Sequence, residues 1–319
     1  MSEYTLLSIV VTAYSAERLN SIYELLESIR DQTYPRIETI FVVERSHALF
    51  EKLKDYKAKN KITELKILFC LDENGLSAKN RGIKEAEGEI IAFVHDDIVL
   101  YHDWADHMVV AYTDDSIIGV TGAVLPLWEN DSVSWFPEEF YWIIGCTTVD
   151  RPGEVKNAQD INMSFRREAF AQVGLFHRES SLQIGPTADE DEFSLRARTE
   201  TGRRIVYRPG ARVLRRIHKS VLSTRFIKDR AYRNGYSRQA AKKTVGGYMT
   251  NKSDVVDQEY LNVSHIFMHL LPSIMAGFFD GPGESWRKLR VTILILFYFA
   301  LGYYYLYGHP PKNNGPSGS

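Results

Sequence analysis

The segment Phe93-Val94-His95-Asp96-Asp97-Ile98-Val99 sets an imidazole and two adjacent carboxylates directly after an apolar run. Neighbouring carboxylates repel each other and are costly unless solvated or bound to a cation. Hard divalent ions take such oxygens as ligands and bridge them to phosphate oxygens. A metal held there would help a diphosphate leave. The plainer reading is a solvated loop or a helix cap. Asp189-Glu190-Asp191-Glu192 is a second acidic cluster. Four consecutive acids cannot all lie in a core, and most must face solvent or a ligand. Acids also favour a helix start, which accounts for one or two of them. A carboxylate held in a pocket is what a general base requires, and Glu190 or Asp191 could serve. A third segment, residues 72–82, joins an Asn-Gly turn to Ser77, a helix-capping residue. Its Lys79 and Arg81 offer cations to a diphosphate. Its plainer reading is a strand-turn-helix connection with surface charges.

Apolar spacing predicts the elements that position these groups. Strands are expected over residues 6–11, 39–43, 65–71 and 89–94, and helices over 18–32, 47–60 and 77–86. This alternation implies an α/β fold with a mostly parallel sheet flanked by helices. Ligands of such sheets bind at the carboxyl ends of the strands, where His95, Asp96 and Asp97 fall. Further strands are expected over 117–125 and 141–149. Two more, 205–207 and 211–214, are expected on either side of Pro209-Gly210. Helices are expected over 167–173 and 192–201.

The bulk composition excludes several classes. The chain has 319 residues, enough for one large domain and an accessory segment. It carries 39 Lys plus Arg against 41 Asp plus Glu, a balance that argues against a nucleic-acid-wrapping protein. Its two cysteines, Cys70 and Cys146, have no neighbour at metal-ligand or redox spacing. No G-x-G-x-x-G follows the first strand, which argues against a dinucleotide dehydrogenase.

Residues 10–35, 39–46, 73–99, 162–176 and 188–213 in this order resemble the family 2 glycosyltransferases of the GT-A fold. The resemblance covers roughly residues 6–240. It implies a Rossmann-like, mostly parallel mixed sheet and an inverting transfer from a nucleotide-sugar, by family habit a UDP-sugar. It also implies Mn2+ or Mg2+ as cofactor. By position, Thr12, Ala13, Tyr14 and Glu44 match the nucleotide-contacting strand ends, and Lys79 and Arg81 match the loop near the base and diphosphate. Asp97 matches the last Asp of the D-x-D metal motif, with Asp96 or His95 as further candidate ligands. Asn162 and Met163 match the stretch flanking donor sugar and acceptor. Glu190 matches the usual catalytic base, with Asp189 and Asp191 beside it. Three departures stand out: Glu44 replaces the commoner Asp, His95 replaces the first Asp of D-x-D, and Arg215 stands where a histidine often follows the last strand, with His218 three residues on. Arg215 could neutralise the diphosphate in place of a metal ligand. The Q-x-x-R-W stretch of processive synthases is lacking, so a non-processive transfer is expected.

The organisation read from the sequence is a catalytic domain over 1–220, a basic helical region over 221–260, membrane-associated helices over 261–308 and a disordered tail over 309–319. Residues 289–307 are apolar and as a helix would run roughly 28 Å, close to the thickness of a bilayer core. Trp286, Arg287, Lys288 and Arg290 flank its start, as on a cytoplasmic side. Residues 261–279 read as interfacial. These features together suggest a lipid-phosphate-linked acceptor at a membrane, with the catalytic domain on the cytoplasmic face. The rival readings are a dolichyl-phosphate sugar synthase using bare lipid phosphate and a non-catalytic, membrane-tethered nucleotide-sugar sensor. The acidic quartet weighs against the sensor, which needs no base.

Overall fold

The computed structural model describes residues 4–71, 75–129, 134–148, 151–177, 188–244 and 266–304. Its first half is the expected alternation: β1 (Leu7–Ala13), α1 (Leu19–Arg30), β2 (Ile37–Glu44), α2 (His47–Asn60), β3 (Leu65–Cys70), α3 (Gly75–Glu85) and β4 (Ile90–Val94). Strands β3, β2, β1 and β4 lie side by side and parallel. Their side chains alternate between two cores. Leu7, Ile9, Val11, Phe41 and Val43 pack on one face, and Val10, Ile40, Val42, Ile91 and Phe93 on the other. Burial on both faces explains why these strands read as nearly continuous apolar runs.

The second half makes the sheet mixed. It comprises β5 (Ile98–Leu100), α4 (Trp104–Val110), β6 (Ile117–Trp128), β7 (Gly153–Val155), β8 (Asn162–Arg166), α5 (Arg167–Val173), α6 (Ala188–Thr201) and β9 (Arg204–Ile217). The order is β3-β2-β1-β4-β8-β6-β9-β5, with β7 paired to β9. Strand β8 runs antiparallel to β4 and β6, whereas β6 and β9 run parallel. In the β4–β8 register Val94 lies opposite Asn162. Strand β5 runs antiparallel to β9, with Ile98 opposite Arg215. These two registers bring distant residues to the carboxyl end of β4.

Several expectations are corrected. Residues 138–144 form a 3-10 helix, not a strand over 141–149, and Gly145 closes it at φ 72. Phe140, Trp142, Ile143 and Ile144 are all buried, so their apolar run mimicked a strand. Residues 149–150 lie outside the described residues. The strands expected around Pro209-Gly210 are one strand, β9. The register with β6 slips between the pairs Gly122–Arg208 and Val124–Val213, and the bulge absorbs the proline that cannot donate to a ladder. Helix α6 starts at Ala188, which puts the acids inside its first turn.

Asn162 and Met163 are core residues with no exposed surface. Asn162 Nδ2 donates to Ala123 O (3.1 Å) and Ala211 O (2.9 Å), and Trp104 Nε1 donates to Asn162 Oδ1 (2.9 Å). One amide thus ties β8 to β6, β9 and α4. Neither side chain reaches the surface, and the amide of Asn162, expected at the donor, is engaged by the fold.

Beyond the sheet, α7 (Thr224–Thr244), α8 (Leu271–Asp280, preceded by a π-turn at Ile266–Leu270) and α9 (Pro282–Tyr304) follow. Helices α7 and α9 meet backbone to backbone. A Cβ on Gly235 would stand 2.1 Å from Phe299 O, and one on Gly302 would stand 2.0 Å from Tyr232 O. Val291, Thr292 and Ile295 are buried along α9, and the Phe299 ring meets Trp142 edge-on at 5.8 Å. No helix among the described residues is long and apolar enough to cross a membrane. The segment expected as a span over 289–307 is helical as far as Tyr304; one face of α9 is spent on packing, and cations occupy its first turns. Residues 305–307, the tail over 309–319 and residues 245–265 lie outside the described residues.

Because Asn162 satisfies three buried partners, Asn162→Leu is expected to lower the unfolding free energy by about 2–4 kcal/mol. Urea denaturation checks this. Donor KM in the folded fraction should be unchanged, and a large KM rise with normal stability would restore a donor-contacting role.

Candidate active site

The carboxyl ends of β1, β2 and β4 share one edge of the sheet, and the loop after β4 delivers His95, Asp96 and Asp97 there. Both aspartates are buried. Each is met by an arginine that its own strand does not supply. Arg18 Nη1, from the turn after β1, donates to Asp96 Oδ1 at 2.8 Å. Arg215, opposite Ile98 in the β5–β9 register, donates from Nε to Asp97 Oδ2 at 3.4 Å and from Nη1 to Ile144 O at 2.9 Å. Its guanidinium lies against Gly145, where a Cβ would come within 2.1 Å of Nη1. His218, by contrast, pairs with Glu129.

The two aspartates titrate apart. Burial pushes Asp96 up against the pull of Arg18, and the neighbouring charge of Asp97 adds to the rise. Burial acts on Asp97 too, but Arg215, His95 and Arg18 together outweigh it and hold this carboxyl below the ordinary range. Asp97 Oδ1 is buried and accepts no hydrogen bond. His95 Nε2 lies 2.8 Å from Asp160 Oδ2. Of the three metal ligands expected from the sequence, Asp97 is the one with a buried oxygen left without a partner. Asp96 Oδ1 is engaged by Arg18 and His95 Nε2 by Asp160. Among the described residues no group of three His, Cys, Asp or Glu side chains is placed to hold an ion. One hard, ionised oxygen fits a divalent cation that draws its other ligands from a diphosphate and water.

The acidic quartet resolves by helical geometry. Glu190 shares a face of α6 with Phe193, Ser194 and Ala197, all buried, at spacings of three, four and seven. Asp189 and Asp191 are half-buried beside it, and Glu192 is held by Arg196 at 2.8 Å. Of the three acids expected to catalyse, only Glu190 is driven inward. Its Oε1 accepts from Lys79 Nζ, and its Oε2 is buried without a partner. Lys79 also donates to Asp160, so one ammonium bridges two carboxylates. Burial pushes the Glu190 carboxyl above its ordinary value, the negative charge of Asp160 adds to this, and Lys79 opposes it. Asp160 is held well below the ordinary range, because Lys79 and His95 overcome its burial. A carboxylate with one free oxygen and a raised pKa suits proton removal near neutral pH.

On the donor side, Thr12 is half-buried, Ala13 buried and Tyr14 exposed. Glu44 ends β2, with Arg45 next to it in the left-handed region at φ 58. Burial pushes Glu44 up, opposed by Arg45 and Lys79. Arg81 is exposed. Lys79 departs from expectation: its ammonium serves Asp160 and Glu190 and does not stand free for a diphosphate. Arg18 and Asp160 were not singled out by the sequence. Asp160 arrives two residues before Asn162, at the β4 edge, through the β4–β8 register, and no local pattern announces it.

The model of the family described as "Glycosyl transferase family 2" matches residues 8–174, just over half of the chain. The chain belongs to this family. It is a glycosyltransferase, and its fold is GT-A. Over 312 residues it is 27% identical to the glucosyl-dolichyl phosphate glucuronosyltransferase of Haloferax volcanii, covering 94% of this chain and 95% of that one. It is 34% identical over 93 residues to the amylovoran biosynthesis glycosyltransferase AmsB of Erwinia amylovora, covering 28% of this chain and 30% of AmsB. Among solved structures it resembles the mannosyltransferase PcManGT of Pyrobaculum calidifontis in complex with GDP-Man and Mn2+. That match has TM-score 0.60 and 16% identity over 95% of this chain and 88% of that one. GalNAc-T7 with UDP, GalNAc and Mn2+ matches at TM-score 0.55 and 15% identity, over 88% and 58%.

The charges around Glu190 fix the sign of two effects on the acid limb of the pH–rate profile, which reports a base that must be deprotonated. Asp160→Asn removes a negative neighbour and should move the limb to lower pH. Lys79→Met removes the opposing cation and should move it to higher pH. Movement in the opposite sense for either variant would contradict the arrangement.

Proposed function

We propose that this glycosyltransferase inverts the anomeric carbon as it moves a sugar from a nucleotide-sugar, a UDP-sugar in the first instance, to an acceptor carried on polyprenyl or dolichyl phosphate. The observation that carries this reading is Glu190, a buried carboxylate with one oxygen on Lys79 and the other free. Glu190 takes the proton of an acceptor hydroxyl. That oxygen attacks the anomeric carbon, the bond to the diphosphate oxygen breaks, and the nucleoside diphosphate leaves with the electron pair. Lys79 favours the anionic form of the base, and Asp160 keeps Lys79 in place. Arg18 and Arg215 hold the strand-end aspartates against the leaving-group side. A divalent cation, Mn2+ or Mg2+, held by Asp97 would neutralise charge on the departing diphosphate.

The lipid-linked acceptor is supported by the Haloferax relative, whose name speaks of glucosyl-dolichyl phosphate, a lipid already glycosylated. The presence of a base favours such a substrate over bare lipid phosphate. A phosphate is already an anion at neutral pH, whereas a sugar hydroxyl must lose its proton. The cations Arg287, Lys288 and Arg290 at the start of α9 support a membrane-bound enzyme working on the cytoplasmic face.

A screen of radiolabelled UDP- and GDP-sugars against a membrane lipid extract, with and without Mn2+, tests the reading. Label should enter the lipid phase only with metal. Glu190→Gln should lower kcat by about 10²–10⁴-fold while donor binding persists. Asp97→Ala should remove the response to Mn2+. Full turnover by Glu190→Gln would refute the assignment of the base.

A further inference from the structure

We infer that the outward faces of α8 and α9 form a docking surface that lies flat on an anionic lipid bilayer without crossing it. This refines the reading of a membrane-held acceptor by naming the surface that meets the membrane. The two can fail separately.

Helix α9 has its apolar residues on both sides. Val291, Thr292, Ile295 and Gly302 are buried on one. On the other, Trp286, Ile293, Phe297, Leu301 and Tyr304 are exposed. Their spacings of seven, four, four and three draw one stripe along the helix. From Trp286 to Tyr304 it runs about 27 Å at 1.5 Å per residue. A second stripe on the preceding segment holds Met268, Met275 and Phe279, the last 92% exposed. Phe278 meets Trp286 edge-on at 5.4 Å and joins the two helices. An ordinary surface helix turns such residues inward, so this outward face needs a partner.

The charges say which partner. Arg290 lies four residues after Trp286 on the same stripe, and Arg287 borders it; both are exposed. The acid of the first turn, Glu284, is taken by Lys288 at 2.8 Å. On the helical wheel both fall on the opposite side from the stripe. The face is therefore apolar with a cationic end, the composition that binds anionic lipid headgroups. Trp286 and Tyr304 at its two ends are the residue types that settle at a membrane–water boundary. A second copy fits poorly, because an antiparallel pairing of α9 with itself would bury Arg290 against the apolar far end of its partner. Crossing is opposed by the other face. The backbone contacts at Gly235 and Gly302 fasten α9 to the basic helix α7, which would have to enter the hydrocarbon with it.

The test is flotation of the full chain with phosphatidylglycerol–phosphatidylcholine vesicles and with phosphatidylcholine alone, for wild type, the double variant Ile293→Asp/Phe297→Asp, and Arg290→Glu. Wild type should float with the mixed vesicles and less with the neutral ones. The double variant should lose binding about tenfold or more, with an unchanged melting temperature and unchanged transfer to a detergent-dispersed acceptor. Arg290→Glu should lose the preference for anionic vesicles. Wild-type flotation by the double variant would overturn the inference. So would a lowered melting temperature, which would mean that the face is covered within the protein, or a wild-type dimer that the double variant dissociates. If wild type floats as expected but no lipid acceptor is used, the docking surface stands and the acceptor reading falls.

Discussion

Four carboxylates, Asp96, Asp97, Asp160 and Glu190, crowd the carboxyl edge of one sheet, and each lies largely out of water. Burying an unpaired carboxylate costs several kcal/mol, so this edge exists only because cations from elsewhere in the chain reach it. Arg18 answers Asp96, Arg215 answers Asp97, and Lys79 answers Asp160 and Glu190 together. The rest of the architecture can be read as the means of delivery. The turn after β1 brings Arg18, helix α3 brings Lys79, the antiparallel β8 brings Asp160, and the β5–β9 pairing brings Arg215. The outcome is unequal by design of position. Asp97 is left ionised with a free oxygen, and Glu190 is left with a raised pKa and a free oxygen. One suits a cation and the other a proton.

How much of this was legible in the sequence depended on whether the signal was local. The parallel half of the sheet is written in apolar runs and helical spacings, and its elements lie within two residues of expectation. The mixed half was harder. Residues 141–149 carry a strand-like composition, but the first four of them end a 3-10 helix that Pro137 opens and Gly145 closes. Pro209-Gly210 looks like a turn between strands, yet a bulge lets one strand run through it. The site followed the same rule. His95, Asp96, Asp97 and Glu190 stand in compact clusters and were legible as candidates. Their partners were not, because Arg18 is 78 residues from Asp96 and Asp160 is 81 from Lys79. Asn162 shows the converse case. The family resemblance implies a place beside donor and acceptor, while its amide is engaged by Ala123, Ala211 and Trp104.

The C-terminal helices obey a different solvent. Hydropathy alone made residues 289–307 a membrane span. The structure spends one side of that segment on α7 and Trp142 and leaves the other side apolar and outward. The helix thus has two apolar faces of different destination, one packed and one outward.

The central claim is that Glu190 is a base tuned by Lys79 and Asp160. Carbon-13 titration of the glutamate side-chain carboxyls in the full chain tests it most directly, with Glu190→Gln assigning the resonance. The account predicts that the resonance lost in that variant titrates above the ordinary glutamate range and moves to lower pH in Asp160→Asn. A Glu190 resonance that titrates within the ordinary range, and does not respond to Asp160→Asn, would contradict it.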